Sequence, residues 1–174
     1  MNAAQTANNY FKLFELPENY AVKTDDLVTR YRLLQAQLHP DRYVDKSERE
    51  RRMALERAAL VNDAYRILRD DVERGLYLLS LHQPEIAQQK PTLSSEFLMT
   101  QMELREALVE ANCFDQLHTL LASVRIAMLE SVARIALALD NDAQFLKALN
   151  ELAELQFLKK LAQEIDDRLF GLES

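Results

Sequence analysis

Glycine and proline are scarce in this chain of 174 residues: 2 and 4 respectively. A many-stranded sheet needs turn-formers at nearly every strand end, so the shortage points to an all-α chain. Cysteine is scarcer still. Cys113 has no partner for an internal disulfide, and no charged segment followed by an apolar one opens the sequence, so secretion has no support and a cytoplasmic location is expected. No apolar run approaches the ~18 residues that a bilayer-spanning helix needs, and no membrane partner is expected. Positive charge is also short, with 21 Lys+Arg against 28 Asp+Glu and a formal charge of -7. That balance argues against nucleic acid, whose phosphates require a concentrated basic surface. What remains is 48% hydrophobic and 28% charged, enough chain for one ordinary domain or two small ones around a modest core.

Helical signals fill the sequence. "NNYFKLFELP" reads as a short helix ending before Pro17. A second helix is expected to start at Thr24, whose side chain can cap it while Asp25 and Asp26 favour the positive end of the dipole. Leu27, Tyr31, Leu34 and Leu38 form its apolar stripe, and Pro40 ends it. Ser47 and Glu50 have capping-box spacing, so a third helix is expected from about Ser47 to Arg69. The break of roughly eight residues between the two suits the tip of an antiparallel hairpin. "VERGLYLLSLH" reads as one more short helix, and "QPEIAQQKP" as a linker over 83–91. Three long amphipathic stretches follow, about 94–112, 115–140 and 142–170, with Asp115 expected to cap the second and Gly171 to mark the end of the third. Short connections make these an up-down-up bundle.

The tip of the hairpin reads "QLHPDRY". As an enzyme site it is poor, because no hydroxyl or thiol accompanies His39 and no Gly-rich nest could stabilise an oxyanion. His39, His82 and His118 are scattered singly and Cys113 has no neighbour at ligand spacing, so neither a metal nor a cofactor is expected. By local chemistry alone, "HPD" is a helix-stopping Pro40 with an Asp-assisted turn.

The context says more. "HPD" stands between a helix containing "YRLLQAQL" and a longer one ending "NDAYRILRDDVERGLY", after a short "YFKLFELP", and this layout resembles a J-domain over residues 1–82. The resemblance implies that His39, Pro40 and Asp41 dock on a DnaK-class chaperone and stimulate its ATP hydrolysis. Arg30, Arg32 and Arg42 could steer toward an acidic groove, although an ordinary solvated helix face accounts for each of them as well. Pro40 would stiffen the loop before docking and Asp41 would accept from a partner arginine. Two departures from the J-domain pattern stand out. Leu33 and Gln37 occupy positions where many J-domains carry lysine, and no Gly/Phe-rich or zinc-binding module follows.

In "SSEFLMTQMELREALVEA", Phe97, Gln101, Leu104, Leu108 and Ala111 fall on one helix face. Leu98, Met99, Met102 and Val109 form a second apolar strip beside Glu103, Glu106 and Glu110. That strip is either a partner surface or a second buried face. The last helix should bury Leu149, Leu152, Leu155, Leu158, Leu161 and Ile165, with Phe157 to one side. A J-domain, a linker and a three-helix bundle over 92–174, with "YLLSLH" at the join and "FLMTQMELREAL" opening the bundle, resemble the HscB family of iron-sulfur cluster co-chaperones across essentially the whole chain. The resemblance implies a protein with no catalytic site of its own that binds an IscU-type scaffold and delivers it to an HscA-type chaperone. The scaffold-binding positions it implies are Leu98, Met99, Met102, Glu103, Glu106, Glu110 and Phe157. A J-domain protein serving a DnaK-class chaperone with another client is the alternative.

Overall fold

The computed structural model describes residues 9–141 and 143–173. Among these residues the fold is helical throughout, with no strand. Two compact units divide it, the first up to Leu81 and the second from His82.

In the first unit, α1 (Tyr10–Leu13) opens with Asn9 accepting from the N–H groups of Phe11 and Lys12. It ends well before Pro17, because Glu15 takes a left-handed φ of 51°. Asn8, in the expected helix, lies outside the described residues. α2 (Thr24–Gln37) begins one residue earlier than expected: Lys23 holds the cap position and Thr24 is already helical, so its hydroxyl does not cap. His39 is extended at ψ 133°, the conformation a following proline enforces, and a 3₁₀ turn (Pro40–Tyr43) follows it.

α3 (Glu48–Arg69) starts on a complete capping box, with Ser47 N–H donating to Glu50 Oε2 at 2.9 Å and Glu50 N–H to Ser47 Oγ at 3.3 Å. It pairs with α2 as the expected hairpin, stacking Tyr31 on Tyr65 at 3.9 Å between centroids. α4 (Asp71–His82) is capped by Asp70, which accepts from the N–H groups of Val72 and Glu73. Phe11, Phe14, Tyr20, Leu27, Val61, Leu68 and Leu79 form the core. Across it lies Arg74, 7% exposed, donating to the carbonyls of Tyr20 and Leu68 at 2.8 Å and to Asp71 at 2.5 Å, with its guanidinium over the Tyr20 ring. One side chain thus ties three segments of the unit together.

The second unit contains a short α5 (Pro84–Ala87) within the segment read as linker, and this turn packs on the last helix. Proline at its first position has no N–H to leave unpaired. Three long helices follow: α6 (Ser95–Glu110), α7 (Phe114–Ala136) and α8 (Phe145–Glu173). Cys113, not Asp115, holds the cap position of α7, and Asn112 N–H donates to Gln116 Oε1 there. A π-helical turn (Leu137–Asn141) extends α7 to the end of the expected stretch. The third stretch was expected from residue 142, which lies outside the described residues. α8 runs through Gly171 rather than stopping there, since glycine lowers helix propensity without forbidding the helix. Leu108, Leu117, Leu121, Val124, Leu158, Leu161 and Ile165 interdigitate in the core.

Candidate functional site

The HPD tripeptide is exposed at the tip of the α2–α3 hairpin, as its position between two helices dictates. His39 Nδ1 accepts from the Asp41 N–H at 3.3 Å and lies 3.4 Å from Asp41 Oδ2. Arg42 N–H donates to the His39 carbonyl at 3.0 Å and closes the turn. Pro40 fixes φ inside that turn, so the loop presents its polar groups in one conformation with little left to order on binding. The Asp41 side chain is 85% exposed and that of His39 60%, which leaves most of the carboxylate available to an outside donor.

The three arginines are not equivalent. Arg30 is held by Glu15 at 2.8 Å, so its charge is already met within the unit. Arg32 and Arg42 are exposed and form no ion pair among the described residues. Leu33, which follows Arg32 in α2, is 59% exposed and makes the surface of this helix partly apolar.

On the second unit, α6 shows two faces. Leu104 and Leu108 turn into the core, while Leu98, Met99 and Met102 are 46%, 66% and 64% exposed. Glu103, Glu106 and Glu110 are exposed on the same side. The apolar strip that the sequence left open is therefore a surface. Phe157 differs from these: it is half-buried, edge-on to Phe97 at 5.9 Å, with the Arg105 guanidinium 5.4 Å above its ring. Arg105 also grips Glu164 on α8, joining the two helices beside the strip.

Sequence reading missed these helix-to-helix ties. Arg168 reaches the α6 carbonyls of Leu108 and, at 2.9 Å, Ala111, so it satisfies groups that a helix end leaves open. Arg134 pairs with Glu151 at 2.9 Å and lies 3.9 Å from Glu154, whose carboxyl burial and the neighbouring Glu151 hold above the usual range. Each such pair spans helices that no periodicity argument relates.

The family described as the HSCB C-terminal oligomerisation domain matches residues 93–166. A co-chaperone protein HscB homolog of Vibrio vulnificus is 37% identical over 171 residues, covering 94% of this chain and 99% of the relative. The solved structure of chaperone HscB from Vibrio cholerae matches with a TM-score of 0.82 and 34% identity, over 94% of this chain and 99% of that one. The crystal structure of human co-chaperone protein HscB matches with a TM-score of 0.83 and 28% identity, over 92% of this chain and 81% of that one.

An exposed HPD turn on a helical hairpin, followed by a separate three-helix bundle, defines a J-domain co-chaperone. The relatives narrow the class: the Vibrio vulnificus and human proteins are named as co-chaperones, and the relatives match this chain across both units. The chain belongs to the HscB co-chaperone family.

Proposed function

We propose that this chain carries an IscU-type iron-sulfur scaffold to an HscA-type, DnaK-class chaperone and stimulates that chaperone's ATPase, supporting cluster assembly and transfer in the cytoplasm. The observation that carries the reading is the outward strip of α6, where Leu98, Met99 and Met102 stay in water beside three carboxylates although the same helix has a core face to bury. A folded chain gains nothing by exposing adjacent large apolar groups, so a partner that covers them is the physical account.

The division of labour follows the two units. Residues 1–82 act as the J-domain, 83–91 join it to the bundle, and 92–174 bind the scaffold. His39, Pro40 and Asp41 dock on the chaperone, with Arg32 and Arg42 as the available steering charges and Arg30 contributing only if it releases Glu15. Leu98, Met99 and Met102 supply the apolar contact to the scaffold, Glu103, Glu106 and Glu110 its charged rim, and Phe157 a flanking aromatic. The chain performs no chemistry itself. By holding scaffold and trigger in one molecule it raises the scaffold's effective concentration at the chaperone.

The test is the ATPase rate of the chaperone with its scaffold, on adding wild type, Asp41→Asn or Leu98→Ala/Met102→Ala. The reading predicts strong stimulation by wild type, none by Asp41→Asn, and loss of only the scaffold-dependent part in the double variant. Wild-type behaviour of Asp41→Asn would reduce the HPD loop to a turn and overturn the co-chaperone mechanism.

A further inference from the structure

Val109 is the most exposed of the large apolar side chains among the described residues, at 77%. At ~100° per residue it lies about 20° around α6 from Met102, two turns further on, so Leu98, Met102 and Val109 make one ridge about 16 Å long. Glu106 and Glu110 flank its far end. Neither forms an ion pair among the described residues, nor does Glu103, whereas Glu151, Glu164 and Asp166 on α8 are taken up by Arg134, Arg105 and Arg125. The outward acids of α6 are thus left for something outside the chain.

The fold does not account for this valine. A β-branched residue is a weak helix former, and an exposed one buries nothing in return. We propose that Val109 is a further scaffold contact, the apolar anchor at the C-terminal end of the ridge, seated on an apolar group of the scaffold rimmed by lysine or arginine facing Glu106 and Glu110. The inference rests on the scaffold-binding reading and carries the apolar part of that surface two helical turns beyond Met102, between acids already assigned to its rim. Centred contacts that exclude water carry most of an interface's energy, and a buried charge without a partner disrupts them.

Binding of the isolated scaffold to the full chain, followed by titration calorimetry, tests it with wild type, Val109→Asp, Val109→Thr and Leu98→Ala/Met102→Ala. Threonine keeps the branched shape of valine but replaces one methyl by a hydroxyl, so it changes polarity at nearly the same size. The expected result is about tenfold weaker binding for Val109→Asp and a smaller loss for Val109→Thr, at unchanged melting temperature. Wild-type affinity of both Val109 variants beside a weakened Leu98/Met102 variant overturns the inference and leaves the scaffold reading standing. Wild-type affinity of all variants overturns the scaffold reading, and this inference with it.

Discussion

Arg74 shows how much one residue holds in place. It is buried, and its guanidinium satisfies two backbone carbonyls and Asp71 while stacking on Tyr20. Removing it takes a buried, charged donor from all three acceptors, although the Tyr20 carbonyl keeps the Val22 N–H and Asp71 reaches solvent, so Arg74→Ala is expected to cost about 2–4 kcal/mol, read by chemical denaturation. Lysine cannot reproduce the fork, so Arg74→Lys should recover only part of the loss. Two carboxyls give the fold opposite pH responses. The Ser47 hydroxyl and N–H hold the Glu50 carboxyl below its ordinary value of 4.5, so its stabilising share is present above that value and fades as pH falls through the lowered one. Glu154 is the reverse: burial and Glu151 raise it, so the folded state carries a penalty at neutral pH that is relieved as pH falls through the raised value toward 4.5. Glu154→Gln should therefore raise the melting temperature at pH 7 and lose that advantage near pH 4; a loss of stability at pH 7 would mean that the Arg134 contact outweighs the burial cost.

Among the elements, α6 has one face in the bundle core and one in water. Leu108→Ala opens a cavity in the bundle and is expected to cost about 2–5 kcal/mol, while Leu98→Ala/Met102→Ala should shift stability by no more than about 0.5 kcal/mol at each site. Thermal melts of the two variants distinguish core from surface directly. Both faces of α6 were legible in the sequence as stripes, but a periodicity cannot say which stripe meets water, and only packing assigns it. The capping box at Ser47 was legible because both partners lie within three residues. The starts of α2 and α7 were off by a residue or two, because Thr24 and Asp115 also serve inside a first turn, where hydroxyls and acids are tolerated. Arg74, Arg105 and Arg168 were not legible at all: nothing local separates an arginine that crosses a core from one in solvent. The same limit hid the Glu15 pairing of Arg30.

At the scale of the molecule, two compact units offer one exposed HPD turn and one exposed apolar strip. The acidic surplus of the sequence lies in the second unit, while the first carries Arg32 and Arg42 close in sequence to its HPD turn, a charge contrast that the proposed function assigns to different partners. Contacts of this kind are screened by salt, and stimulation is expected to weaken as ionic strength rises from about 0.05 to 0.3 M, measured as ATPase rate.

The central claim is that trigger and scaffold site must belong to one chain, and mixing tests it most directly. An equimolar mixture of Asp41→Asn and Leu98→Ala/Met102→Ala contains both surfaces, intact but on separate molecules. The ATPase rate of the chaperone with its scaffold should stay without the scaffold-dependent stimulation seen for wild type, because neither variant brings the scaffold and the trigger together. Full wild-type stimulation by the mixture would contradict the account: the two units would then act independently, and their linkage would do nothing for the coupling.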